Sequence, residues 1–278
     1  GGRVVSLRED AEGSIWVGAN GGLYRLRETL FASYTERDGL SGDYVRTVLE
    51  DAQRTLWVGS ASGLDRRGAD GRFAPVILHN RGGKPPSVLS LAQGRDRAVW
   101  VGTFGDGVMR LDESGHPERT YDSVDGVPIG NIRAISIDAQ GVVWAGTQRG
   151  VARIDEKGAS LPRMEGMPTA LITALAHDAA GNLWIGTIEG IRVLRGDTVQ
   201  YIDLAGLGGG RSVFGFQQIG DAMWISSDRG LYRYQHGVLS RVGLEQGMPV
   251  DTVFQLVPDK VGNVWISSNR GVLRTDMG

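Results

Sequence analysis

Short apolar runs alternate with polar turns along the whole chain. A typical unit reads ITALAH, then DAAGN, then LWIGT, and its first apolar residue lies twelve positions before its tryptophan. Six units share this spacing from an apolar anchor residue, at Val4, Val45, Val88, Ile132, Ile172 and Val253, and in the remaining unit Val213 precedes Trp224 by eleven. Short apolar runs bounded by Asp, Asn and Gly predict β-strands joined by tight turns.

Every tryptophan marks one copy of a repeat. The spacings run from 40 to 44 residues between Trp16, Trp57, Trp100, Trp144, Trp184, Trp224 and Trp265. Each copy contains four apolar runs, which we name strands A, B, C and D in chain order, and strand B carries the tryptophan. Four short strands in about 40 residues predict one blade of a β-propeller. A helical solenoid is excluded, because no copy offers a helix-length run with a 3.6-residue period.

The pattern therefore predicts an all-β fold, a seven-bladed β-propeller of four-stranded antiparallel blades that occupies residues 1–278 as a single domain. The sequence begins on strand A of the first copy and stops on strand C of the seventh, at GVLRTD. We therefore expect the last blade to lack its own outer strand. Either a longer parent chain supplies that strand, or the seventh blade has three strands.

Composition narrows the classes of function. Glycine accounts for 43 of the 278 residues, which is about twice its ordinary usage and fits many tight turns. Cysteine is absent, so disulfides, thiolate zinc sites and thiol nucleophiles are excluded. Arginine outnumbers lysine by 27 to 3, which we attribute mainly to genomic base composition. The net charge of −2 disfavours a nucleic-acid partner, and no apolar run approaches the roughly 20 residues of a membrane segment.

The recurrent glycine, aspartate and tryptophan positions have a structural explanation. The Asp that precedes strand B is expected to stabilise its own turn by accepting backbone N–H bonds. Copies spread around a ring cannot converge on one ion, so we expect neither a metal nor a cofactor. Each tryptophan is expected to pack between neighbouring sheets rather than to stack on a sugar. Each glycine is expected to serve a tight turn or a close backbone approach.

The connections predict where a ligand would bind. Strand direction alternates within a blade, so the D–A and B–C connections share one face, which we call the loop face. This face collects the longer and more varied loops, with Arg, amide, carboxylate and aromatic groups, and arginine is a good partner for carboxylate or phosphate. The candidate ligand-binding residues are Asp43, Tyr44, Phe104, Asn131, Arg149, Glu189, Arg211, Asp228, Arg229, Asp251 and Arg270.

The histidines argue against an enzyme. His116, His177 and His236 are predicted on the face opposite the loops, in different blades, and His79 on the outer side. Catalytic and metal sites need side chains that converge, so we assign no catalytic residue. A carboxylate site around Asp43, Asp228 and Asp251 remains open as an alternative.

The repeat resembles a known family. The copies of V-x-S/A-L/I-x-E-D-x-x-G-x-L/I-W-V/I-G-T followed by G-L-Y-R, and the D-G-L/V-P-like loops at 38–41 and 125–128, resemble the two-component-regulator propeller repeat of bacterial sensor proteins. The resemblance covers essentially the whole chain, although the sixth and seventh copies read WISS instead of WIGT. It implies an extracytoplasmic input module ahead of a histidine kinase or diguanylate cyclase, with glycan-derived or other small ligands, but it supplies no site residues.

We therefore interpret the chain as a non-catalytic sensor domain of a bacterial signalling receptor in the periplasm. Its expected partners are a small polar or anionic ligand, including an oligosaccharide, the output domain of a larger receptor chain, and a second copy in a homodimer. Two alternatives stay open: a scaffold for protein–protein interaction, and a propeller lyase or hydrolase with acid and base residues converging at the mouth.

Overall fold

The computed structural model describes residues 4–26, 31–128, 130–204, 212–243, 247–248 and 252–276. Seven antiparallel sheets account for this part of the chain, one from each repeat. Six of them have four strands, and the seventh has three within the described residues. The predicted all-β fold, a seven-bladed propeller of antiparallel sheets, is therefore confirmed.

Within each blade the strands follow one another in chain order from the centre outward, A to D in blades 1 to 6 and A to C in the described part of blade 7. The strands of blades 1 to 4 are β1 Val4–Glu9, β2 Ile15–Ala19, β3 Gly22–Leu26 and β4 Phe31–Tyr34; β5 Val45–Glu50, β6 Leu56–Ser60, β7 Gly63–Arg67 and β8 Phe73–Pro75; β9 Val88–Gln93, β10 Val99–Thr103, β11 Val108–Leu111 and β12 Pro117–Tyr121; β13 Ala134–Ile137, β14 Val143–Thr147, β15 Gly150–Asp155 and β16 Gly158–Ser160. Those of blades 5 to 7 are β17 Ile172–His177, β18 Leu183–Thr187, β19 Gly190–Arg195 and β20 Thr198–Ile202; β21 Val213–Ile219, β22 Ala222–Ser227, β23 Gly230–Gln235 and β24 Val238–Val242; β25 Val253–Pro258, β26 Asn263–Ser268 and β27 Gly271–Asp276. One turn of 3-10 helix, Glu36–Asp38, lies between blades 1 and 2.

The ring closes where blade 7 meets blade 1. Strand β1 contacts β5 on one side and both β25 and β26 on the other. The Leu7 N–H donates to Gln255 Oε1 at 2.7 Å. The Lys260 ammonium donates to the carbonyls of Asp10 and Ala11, at 3.1 and 2.9 Å. Side-chain hydrogen bonds and apolar packing therefore hold the described closure.

The tryptophans form the inter-blade core that the sequence predicts. Six of them are at most 9% exposed, and Trp265 is partly buried at the closure. In five blades the indole N–H donates to the Asp six residues earlier, as in Trp16 to Asp10 at 2.7 Å. The same carboxylates accept two backbone N–H groups of their own turns, which confirms the predicted turn role.

An arginine on strand C stacks on the tryptophan of strand B in six blades. The guanidinium carbon lies 5.2–6.0 Å from the ring centroid for Arg25, Arg66, Arg110, Arg153, Arg233 and Arg274. Each of these arginines is the cross-strand neighbour of its tryptophan. Cation–π pairing of this kind stabilises a partly buried guanidinium. Part of the arginine excess therefore has a structural role, which the compositional explanation missed.

In blades 1 to 5 the glycine two residues after the tryptophan marks a close approach between blades. A Cβ on Gly186 would lie 2.8 Å from Val213 Cγ1 of the next blade. Gly18 and Gly59 meet Val45 and Val88 in the same way. In blades 1 to 5 the anchor residue of the next blade therefore occupies the space that the glycine leaves. In blade 6, which reads WISS, a serine replaces this glycine, and Ser226 pairs with Gly215 on strand A of the same blade.

Candidate functional site

The tips of the B–C turns are held by one recurring device. The hydroxyl of Thr147 donates to the Gly150 carbonyl at 2.8 Å and accepts the Arg149 N–H at 3.0 Å. Equivalent hydroxyls hold the Glu189, Arg229 and Arg270 N–H groups. All seven glycines that open strand C have positive φ, which a residue with a side chain rarely adopts.

Four of the predicted binding residues thus occupy equivalent, exposed positions. Arg149, Glu189, Arg229 and Arg270 follow one another in blades 4 to 7 on the loop face. Within the described part of the chain, none of the three arginines forms an ion pair. The turn backbone is therefore fixed, while the guanidinium groups remain free to meet a ligand.

Asp43 and Tyr44 belong to the loop that enters blade 2. Asp43 Oδ1 accepts the Glu36 N–H at 2.8 Å, which ties this loop to the 3-10 turn. Tyr44 is 37% exposed, and the Arg46 guanidinium lies over its ring, 5.1 Å from the centroid. The pair joins the loop face to the start of the central channel.

A buried carboxylate supports the same loop from below. Asp65 on β7 is fully buried and accepts the Ser41 N–H at 2.9 Å and the Ser41 hydroxyl at 2.6 Å. Burial raises the pKa of Asp65, although the two bonds from Ser41 oppose the change. The two hydrogen bonds therefore connect the loop that enters blade 2 to a buried carboxyl group that can ionise.

Two further contacts join predicted residues to neighbouring loops, one at Phe104 and Asn131 and one at Asp228. Phe104 is 57% exposed and forms an isolated β-bridge with Asn131. Asp228 Oδ1 accepts the Ser212 N–H at 3.3 Å, and the Thr252 hydroxyl donates to the Asp228 carbonyl at 3.4 Å. Two further predicted residues, Arg211 and Asp251, lie outside the described residues.

A ring of side chains that the sequence analysis missed lines the central channel. It consists of the residue directly after each strand A anchor: Val5, Arg46, Leu89, Arg133, Thr173, Phe214 and Phe254. We call it the channel ring. In six blades the register of strands A and B shifts at this residue, and a bulge of this kind re-aims a side chain. The twelve-residue spacing from the anchor to the tryptophan is the one sequence clue that locates the ring.

The histidines lie at the turns that their strands predict. His177 ends β17, and its Nδ1 lies 2.8 Å from the Ser136 hydroxyl. Burial lowers the pKa of His177, against the opposing charges of Asp138 and Asp178. His116 pairs with Asp112, and His236 pairs with Asp221. These contacts place the three groups at the A–B and C–D turns, opposite the loop face.

Two features are absent from the described residues, a metal-binding cluster and a membrane-spanning helix. In that part of the chain, no three His, Asp or Glu side chains cluster closely enough to hold a metal ion. Over the same ranges, no helix has the length and apolar character that crossing a bilayer requires.

The fold has close counterparts among solved structures. Extracellular domains of two B. thetaiotaomicron proteins that are described as hybrid two component systems superpose with TM-scores of 0.85 and 0.82, at 19% and 18% identity. The matches cover 99% and 97% of this chain but 40% and 39% of those chains, so the chain spans about two fifths of their length. Virginiamycin B lyase from Staphylococcus aureus also matches, with a TM-score of 0.80, 12% identity and coverage of 98% and 94%. At these identities the likeness shows the fold alone.

The sequence comparison identifies the repeat. Residues 39–62 and 166–189 match the family described as "Two component regulator propeller". No curated protein sequence matches the chain significantly. Both matched segments run from the loop before strand A to the B–C turn, which is the part of the repeat that the sequence pattern singles out. The chain is thus a seven-bladed β-propeller in which parts of two repeats match the two-component regulator propeller family.

Proposed function

We propose that the propeller is the non-catalytic ligand-recognition domain of a bacterial signalling receptor, located in the periplasm, with residues 1–278 acting as one domain. The carrying observation is the likeness to extracellular domains of proteins described as hybrid two component systems, over nearly all of this chain. A ligand signals only when it binds two states of its receptor with different affinity. The output domain of the parent receptor would read out that difference.

The ligand that the loop face favours is small and polar or anionic, including an acidic oligosaccharide. Arg149, Arg229 and Arg270 support this, because they are exposed and fixed at their backbones, and their side chains form no ion pair with described residues. A guanidinium binds carboxylate or phosphate through two parallel hydrogen bonds. The neighbouring Glu189 adds an acceptor for hydroxyl groups.

A thermal-shift screen tests the proposal on the 278-residue chain, with soluble neutral and acidic glycans and small organic anions as probes. We expect at least one probe to raise the unfolding temperature by mass action. Replacing Arg149, Arg229 and Arg270 by Gln should abolish the rise. The matched control is Arg195→Gln, an exposed arginine at the opposite end of strand C. Stabilisation by no probe, or stabilisation that the triple variant retains, would contradict the proposal.

The proposed absence of catalysis has its own support. A lyase shares the fold, but fold does not decide function. The carboxylates of Asp43 and Asp228 accept backbone N–H groups, and the three histidines with described contacts lie at the opposite turns. Turnover of a probe that binds at the loop face, detected by mass spectrometry, would favour the lyase or hydrolase alternative.

A scaffold role is the second candidate, and one observation favours it. The outer side of β27 pairs with no other strand among the described residues. An exposed strand edge can accept a strand from a partner or from a second copy. Sedimentation velocity separates the cases, since a concentration-dependent dimer would support the homodimer and a monomer at all concentrations would weaken the scaffold.

A further inference from the structure

The channel ring has an uneven distribution of chemistry around the propeller axis. Its two charged members, Arg46 and Arg133, come from blades 2 and 4, on either side of Leu89 in blade 3. Phe214 and Phe254 come from the adjacent blades 6 and 7. In a ring of seven blades, blade 3 lies diametrically opposite the boundary between blades 6 and 7. One side of the channel is therefore cationic and the other is aromatic.

The cationic side has no counter-charge in the described part of the chain. Arg46 and Arg133 are the only charged groups among the described residues that line the cavity. Neither forms an ion pair with a described residue. The Nε atom of Arg46 is buried and has no hydrogen-bond partner among the residues that the structure describes. A buried donor without a partner is costly, and two like charges in one concave channel concentrate a positive potential. Both features favour an anion.

The aromatic side offers an apolar surface at the same depth. The rings of Phe214 and Phe254 lie 5.4 Å apart between centroids, tilted by 43°. Phe254 is buried, whereas Phe214 is partly exposed. Leu89 and Val5 complete the apolar members of the ring. A flat or apolar molecule that enters from the loop face would contact these side chains directly.

The cavity at the channel ring is small. Its volume is about 240 Å³, slightly below the roughly 300–1,000 Å³ of pockets for drug-sized molecules. That space suits a ligand of about one ring with a short acidic side chain.

From these four observations we propose that the channel ring binds a small aryl carboxylate, with its carboxylate on the Arg46–Arg133 side and its ring against Phe214 and Phe254. The inference rests on the proposed ligand-recognition function but names a different site from the exposed arginines of the loop face. It also narrows the class of ligand from polar molecules in general to amphipathic organic anions.

Titration calorimetry on the 278-residue chain at low salt tests the site. The probes are phenylacetate, 3-phenylpropionate and indole-3-acetate, with phenylacetamide as the uncharged match and acetate as the match without a ring. We expect at least one aryl carboxylate to bind at least about tenfold more tightly than both matched controls, which corresponds to about 1.4 kcal/mol. Added salt should weaken this binding.

Variants assign the binding to the channel ring. Arg133→Gln and Arg46→Gln should each lower the affinity for the tightest-binding probe by about tenfold. Phe254→Leu should also lower this affinity, although it leaves the charge of the channel ring unchanged. Arg133 is exposed, so its replacement should leave folding intact even if Arg46→Gln impairs it. Arg195→Gln, at the opposite end of the blades, is the control and should bind like the parent chain.

Three results would overturn the channel site. They are equal binding of the acid and its amide, no probe tighter than acetate, and parent-like binding by both Arg46→Gln and Arg133→Gln. The result for the channel ring can be distinguished from the result for the proposed ligand recognition at the loop face. A glycan or anion that depends on Arg149, Arg229 and Arg270 but not on Arg46 or Arg133 would uphold recognition at the loop face even if no aryl carboxylate binds at the channel ring.

Discussion

The carboxylate of Asp51 accepts the indole N–H of Trp57 at 2.8 Å, across six residues of chain. Its other oxygen accepts the N–H groups of Gln53 and Thr55, at 2.9 and 2.8 Å. Asp51 is only 6% exposed. One side chain therefore closes the A–B turn and orients the tryptophan that packs against the next blade.

Asp51→Ala should lower the free energy of unfolding by about 2–3 kcal/mol, because it leaves a buried indole N–H and two turn N–H groups without their acceptor. Urea denaturation measures the loss. Asp70→Ala is the matched control, since Asp70 is exposed and accepts one backbone N–H, from Arg72. A loss no larger than that of the control would show that the hydrogen bond to Trp57 contributes nothing.

Gly186→Ala should destabilise the propeller by about 1–3 kcal/mol, because its methyl group would overlap the space of the next blade. The added Cβ would lie 2.8 Å from Val213 Cγ1 and 3.1 Å from Ala174 Cβ. In Gly21→Ala the new Cβ would meet only the mobile end of Tyr24, at 3.1 Å. Thermal unfolding should show little change for Gly21→Ala, and equal changes in the two variants would argue against the close-approach role.

Asp65→Asn should make the protein less sensitive to rising pH. Burial raises the pKa of Asp65 above 3.8, so above that pH the unfolded chain releases a proton that the folded chain retains. The stability of the folded state therefore falls as pH rises through the folded pKa. An amide can keep both contacts with Ser41 without the buried charge. Urea denaturation from acidic to neutral pH should show that the free energy of unfolding of the variant rises relative to that of the parent chain as pH increases. A constant difference between the two over this pH range would contradict the prediction.

His177→Gln should reduce the loss of stability in mild acid. Burial lowers the pKa of His177 below 6.5, so below that pH the unfolded chain binds a proton that the folded chain does not. Stability is therefore lost as pH falls from about 6.5 toward the folded pKa. Melting temperatures at neutral and mildly acidic pH measure the step. Ser136→Ala keeps the imidazole and should therefore show the same drop in melting temperature at mildly acidic pH as the parent chain. The same drop in His177→Gln would exclude His177 as its cause.

The blade architecture was predictable because its causes are local. An apolar anchor, an Asp turn, a tryptophan strand and a glycine turn all lie within one copy of the repeat. The strand order within a blade and the number of blades follow from the pattern and from counting those copies. The turn role of Asp10 and Asp51 was likewise visible, since a carboxylate reaches the N–H groups two and four residues ahead.

The candidate site was predictable only at the level of a face. Alternating strand direction places Arg149, Glu189, Arg229 and Arg270 on the loop face without any coordinates. Their hydroxyl-anchored turns, and the link between Tyr44 and Arg46, required knowledge of the contacts. The stacking of arginine on tryptophan was hidden as well, because nine or ten residues separate the two and only the strand register makes them neighbours.

The sequence by itself thus determines the number of repeats, the strand order and the identity of the core residues. It does so because the hydrophobic period and the turn chemistry act over a few residues. The convergence of Arg46, Arg133, Phe214 and Phe254 on one channel is decided by the tertiary structure. These residues lie about 40 or more positions apart, and they line one cavity only because the ring closes. At Arg46, Phe214 and Phe254 a bulge also re-aims the side chain.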